Sequence, residues 1–218
     1  GICATAFVTD ERRGICKQED AFVLVTDSAI ETVEEIFPVL EVAAREGRAL
    51  TIVADNVEGQ ALAALIMNCV RGTMKVTAIK APRYGEERRN ILKDLATSVG
   101  ATFISRESGM QLQQAKLEHL GRAKTIESSK YNTTIVGGNG SQEDIDKKIE
   151  TLKAEMTATD DMRECEKIQD RITRLSSGIA IINVGGATEV EMIEKRHRID
   201  DALEAVKSAQ LEGIVSGG

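Results

Sequence analysis

The chain has 218 residues, 42% hydrophobic and 29% charged, with 28 Lys and Arg against 35 Asp and Glu for a net charge of −7. That length suits one domain, or one domain plus part of a second, and permits burial of roughly 70% of the extended chain's surface, which excludes a disordered or fibrous class. The acidic balance argues against nucleic acid or an anionic membrane as main partner, and no apolar run approaches the roughly 20 residues of a membrane span.

Ala21–Thr26 (AFVLVT) reads as a strand ending at Asp27 and Ser28, where a helix finds a cap. From Ile30 to Arg45 the apolar residues Val33, Ile36, Phe37, Leu40 and Ala44 recur at helical steps; Pro38 lies inside, so the helix either restarts or kinks there. Ala49–Ala54 is a buried strand, Gly59–Val70 a helix closed by Gly72, and Met74–Lys80 another strand. This alternation predicts an α/β fold. A charged helix follows over Arg83–Val99, then a strand at Ala101–Ile104 and a helix over Gly109–Leu120. Ala123–Ile126 and Thr133–Val136 form a hairpin around Lys130, Tyr131 and Asn132. Ser141 and Asp144 open a charged helix to about Met156, and a second covers about Asp160–Leu175. The two are expected to pair as a polar surface extension. Ser176, Ser177 and Gly178 mark the domain junction, before a strand at Ile179–Val184 and a long helix over Thr188–Leu211.

Cys3, Cys16, Cys69 and Cys165 form neither a CxxC nor a histidine-paired zinc pattern, so no metal site and a reducing compartment are expected. Gly137–Gly140 lacks the Lys-Ser/Thr ending of a phosphate loop and reads as a turn. His119 and His197 have no triad context. Leu62, Ile66 and Cys69 share a face of their helix, which either joins the core or, with the Phe37, Leu40 and Ala44 face, makes a peptide-binding groove. Gly1 in place of a methionine, followed soon by Asp10–Arg13, reads as a cut into a longer protein.

DNVEGQALAALIMNCVRG at Asp55–Gly72 and VTAIKAPRYGEERRNILKDLA at Val76–Ala96 resemble the group I chaperonin family. So do LGRAK at Leu120–Lys124, VGGATEVEMIEKRHRIDDALEA at Val184–Ala205 and EGIVSGG at Glu212–Gly218, so the resemblance spans the chain. It implies an apical-domain fold of layered sheets and flanking helices over residues 1–178, which binds non-native polypeptide and the cochaperonin lid. The C-terminal part of the intermediate domain, a strand and a long helix, would follow over 179–211, and an equatorial stub over 212–218. The polypeptide-binding residues implied are Phe37, Leu40 and Ala44 on one helix, Leu62, Ile66 and Met67 on the next, and Ile2, Ala4, Ala6 and Phe7 on an extended segment.

The resemblance further implies hinges at Ser177, Gly178 and Gly213, a salt-bridge switch at Glu189, a catalytic Asp201, and nucleotide contacts from Gly217 and Gly218. Those last three would act in the full-length ring-forming homo-oligomer with ATP and magnesium. The fragment alone holds no cofactor and is not expected to turn over ATP, since a lone carboxylate cannot orient it. The compartment implied is the cytoplasm for a bacterial member, and the mitochondrial matrix or plastid stroma for an organellar one. Ile2 and Ala6 stand where bacterial members carry tyrosines, Phe37 replaces a leucine and Tyr84 a phenylalanine. These departures leave a second reading open, a specialised assembly module without general folding activity.

Overall fold

The computed structural model describes residues 1–183. Seven strands form one mixed sheet: β1 (Cys16–Thr26), β3 (Leu50–Ala54), β5 (Val76–Lys80), β6 (Phe103–Ile104), β7 (Gly121–Ser128), β8 (Asn132–Gly138) and β9 (Ile179–Asn183). Its order is β5-β3-β1-β7-β8-β9, with β6 against the end of β1. The β5-β3-β1 half is parallel, as its crossovers through helices require, and the β7-β8-β9 half is an antiparallel meander. A separate two-stranded sheet pairs β2 (Ala29–Ile30) with β4 (Asn56–Val57) in parallel.

The helices α1 (Val33–Glu46) and α2 (Gly59–Val70) cover one face of the main sheet. Ile36, Val39, Leu40 and Ala43 of α1 and Ala61 and Leu65 of α2 meet Phe22, Leu24, Leu50 and Ile52 there. The opposite face packs Val23, Val25, Val53 and Ile79 on α3 (Gly85–Val99) through Leu92, Leu95, Ala96 and Val99. Strands sandwiched between two helical layers are covered on both sides, which is why β3 is buried along its whole length and apolar at every position but Thr51. A hairpin of α4 (Gln142–Ala158) and α5 (Met162–Ser177) closes the fold.

Several expectations need correction. β1 begins at Cys16, ahead of the expected Ala21, because its polar first half is paired with β7. Gln18 there is buried, and its amide donates to the Leu50 and Lys75 carbonyls and to Thr77 Oγ1, so a polar residue ties three strands together. α1 is capped at Thr32 and not at Ser28, since β2 intervenes, and it runs through Pro38 as one helix. The Glu35 carboxylate accepts from the Thr32 backbone N–H at 3.0 Å.

Gly109–Leu120 is not a helix. It makes two short 3-10 turns, Leu112–Gln114 and Leu117–His119, because Leu112, Ala115 and Leu120 are drawn into the core by tertiary contacts although their spacing suits a helix. The α4 and α5 pair is more than a polar extension, since Leu152, Ile168, Ile172 and Leu175 give it a core of its own.

Gly137–Gly140 is not the turn the sequence suggests: Gly137 and Gly138 end β8, and only Asn139 and Gly140 lie beyond it, but the glycines do have a steric cause. A Cβ on Gly138 would lie 2.2 Å from the Ser98 carbonyl oxygen, and one on Gly140 2.1 Å from that of Thr97. The run passes over the C-terminal end of α3, where Gly140 N–H donates to Ser98 O. Carbonyl oxygens crowd this run, an environment opposite to the N–H cradle a phosphate needs.

Candidate functional site

Among the described residues, two helices that begin beside each other carry three of the exposed large apolar side chains, Phe37, Met67 and Val70. Pairing of β2 with β4 brings the start of α1 to the start of α2, and three links hold them. Ile30↔Val57 pair in the strands, Glu58 N–H donates to Ile30 O, and Ala61 N–H donates to Glu31 O. Gly59 permits this approach: its φ is +60° and a Cβ there would sit 3.3 Å from Glu31 O. Gly59→Ala is therefore expected to lower stability by about 1 kcal/mol or slightly more, from the left-handed backbone and the tight contact together. Thermal unfolding monitored by circular dichroism measures it.

On this footing α1 and α2 divide their apolar residues between core and solvent. Leu65 and Ala61 are fully buried, while Leu62 and Ile66 are half-buried and pack on the same core. Phe37 stays 57% exposed, Met67 51% and Val70 73%. Ala44 is exposed, and Leu40, at 8%, belongs to the core. Val70, three residues after Met67, is an exposed apolar residue that sequence reasoning passed over; its helical spacing from Met67 was the available signal.

The N-terminal segment departs from the arrangement the resemblance implies. Thr5–Phe7 is a 3-10 turn and not an extended strand, with only Ala4 and Val8 extended on either side. Phe7 is 1% exposed and sits in the core, because burying its ring gains more than leaving it on a surface. Ile2 pairs with Ile79 and packs in the core on the α3 side of the sheet, away from α1 and α2. Ala4 and Ala6 stay near α2: Ala4 packs on the core beneath it, and Cys69 Sγ donates to Ala6 O at 3.4 Å.

The remaining expected site residues divide simply. Ser177 and Gly178 form the C-terminal end of α5, with Gly178 at φ +73° and its N–H on Arg174 O. Glu189, Asp201, Gly213, Gly217 and Gly218 lie outside the described residues, as does His197.

His119 has a structural task, since its Nδ1 accepts from the Lys116 backbone N–H at 2.9 Å. Burial pushes the Cys3 and Cys16 thiols up, only partly opposed by hydrogen bonding of the Cys3 sulfur with the Val57 backbone and of the Cys16 sulfur with Thr77, so both are poor thiolates. Among the described residues no group of three or more His, Cys, Asp or Glu side chains is placed to hold a metal ion. None of the described helices is long and apolar enough to cross a membrane.

A cleft of about 510 Å³ lies between α3, α5 and β9. Its wall alternates Arg83, Arg171 and Arg174 with Glu86, Asp94 and Asp170, so it offers no field of one sign. Asp94 is moreover occupied by Arg171, at 2.7 and 3.0 Å. The α1 and α2 face therefore remains the candidate, and its chemistry is area burial: a chain that covers Phe37 and Met67 gains about 1.5–3 kcal/mol for each side chain before ordering costs. Residues 18–218 match the sequence model of the TCP-1/cpn60 chaperonin family.

Proposed function

The chain belongs to the TCP-1/cpn60 chaperonin family, and from that premise we propose that its α1 and α2 face captures exposed apolar segments of non-native polypeptides. Its role is that of a chaperonin. The observation that carries the finer reading is the exposure of Phe37, Met67 and Val70 on two adjacent helices whose other large apolar residues are buried or half-buried. Contacts of this kind read apolarity and not sequence, so broad client specificity follows.

The groove of this reading is narrower than the resemblance implies. It comprises Phe37 and Ala44 on α1, Leu62, Ile66, Met67 and Val70 on α2, and Ala4 and Ala6 at its edge; Leu40 supports it from below. Lid binding at the same face, nucleotide-driven movement through Ser177, Gly178 and Gly213, a switch at Glu189, and ATP hydrolysis with magnesium at Asp201, Gly217 and Gly218 belong to the assembled ring in this proposal. So does the division into a binding domain over 1–178, an intermediate segment over 179–211 and an equatorial stub over 212–218.

Titration of a labelled amphipathic peptide, followed by fluorescence anisotropy, tests the groove. Phe37→Ser/Met67→Ser is expected to weaken binding at least about tenfold, two exposed anchors being lost, while leaving the fold intact because neither side chain supports the core. Equal affinity in the variant and the parent chain would remove the face from the account.

A further inference from the structure

Among the described residues, carboxylates outside any ion pair stand on both helices of the apolar face. Glu34 and Glu41 stand three residues before and four residues after Phe37, so both share its side of α1, and both are exposed. Glu31 lies at the start of α1, Glu46 at its end and Glu58 at the start of α2, all exposed. Among the described residues Asp20, Asp55, Asp94, Glu86, Glu107 and Glu127 are engaged by arginines. Among the described residues no ion pair takes up Glu31, Glu34, Glu41, Glu46 or Glu58; Glu58 accepts from the Asn56 amide at 3.1 Å.

The cations of the two helices, Arg45 and Arg71, sit at their C-terminal ends. Acids at helix starts and cations at helix ends favour the helix dipole, which accounts for Glu31, Glu34 and Arg45 without any ligand. Glu41 stands four residues before Arg45, a spacing that favours the helix, yet among the described residues no ion pair joins the two. It lies in the middle of α1, beside the most prominent exposed ring of that helix.

We infer that this face selects segments that are both apolar and basic, discriminating against acidic ones through Glu34 and Glu41. The inference rests on the capture role proposed above and adds to it the chemical class of the preferred client. A docked segment places its apolar side on Phe37 and Met67, and lysines or arginines on its flank reach the two glutamates. Each such pair is solvent-exposed and worth little alone, so the discrimination is the sum of several pairs gained with a basic client and repulsions incurred with an acidic one.

The test uses three labelled peptides with the same apolar side and Lys, Gln or Glu at the remaining positions, titrated into the full chain at low salt and at about 0.3 M salt. The Lys peptide is expected to bind about tenfold more tightly than the Glu peptide at low salt, a gap that shrinks to about twofold at high salt and in Glu34→Gln/Glu41→Gln. Equal affinity for Lys and Glu peptides, with both lost in Phe37→Ser/Met67→Ser, overturns the charge selection and leaves capture standing. A lysine preference that survives Glu34→Gln/Glu41→Gln also overturns it, since the selecting charges are then elsewhere. Binding of all three peptides undiminished in Phe37→Ser/Met67→Ser overturns the capture role itself.

Discussion

Leu65→Ala is expected to destabilise the chain by about 2–5 kcal/mol, the range for removing a fully buried leucine from a core that cannot collapse onto the space. Leu65 is 0% exposed and lies on the inner side of α2, against the layer formed with Phe22, Leu24 and Ile52. The same helix carries Met67 and Val70 outward, so the inner leucine fixes the helix that presents the outer residues. Peptide affinity should therefore fall along with stability, although Leu65 itself touches no ligand in this account. Denaturant unfolding gives the first quantity and anisotropy the second. Leu65→Met, which roughly conserves volume, should cost less than about 1.5 kcal/mol and restore binding.

Asp94→Ala should act on the other side of the molecule. Asp94 of α3 has a side chain only 16% exposed; it accepts from Arg171 Nε at 2.7 Å and Nη2 at 3.0 Å, and Lys148 Nζ stands 3.6 Å away. One carboxylate thus joins α3 to α4 and α5, and its fork-shaped contact with Arg171 has the strongest geometry an ion pair offers. Removing it takes the bound carboxylate from two poorly solvated cations, leaving Arg171 only the weaker attraction of Glu155 and Glu164. The expected cost is about 2–3 kcal/mol, below the range for a fully buried pair because water still reaches the edge. Hydrogen exchange should quicken over residues 142–177 while peptide binding at α1 and α2 stays unchanged. A stability change below about 0.5 kcal/mol would mean that the helical hairpin is held by its apolar contacts alone.

Where burial and periodicity agree, the sequence was a sufficient guide. The predicted helix Gly59–Val70 matches α2 at both ends, because glycines flank a segment whose apolar residues fall on helical steps. It was silent where a polar residue is buried by hydrogen bonds, as with Gln18 in β1. It misled between Gly109 and Leu120, where tertiary contacts of Leu112 and Ala115 outweigh local helix preference. At the candidate site, apolar spacing identified the two helices but could not say which residues face out. That depends on where the neighbouring strands place each helix, and it puts Leu40 inside and Val70 outside. Ile2 and Phe7 lie apart from the candidate face for the same reason: a short apolar segment gives no hint of which side of the sheet each residue will find.

Photo-crosslinking tests the central claim most directly. A benzophenone side chain placed at Phe37 or Met67, and for comparison at Arg163 of α5, is irradiated in the presence of a reduced and permanently unfolded protein. Capture at the α1 and α2 face predicts adducts from the first two sites, none from the third, and competition by excess amphipathic peptide. Adducts at Arg163 alone, or equal yields at all three sites that no peptide displaces, would contradict it.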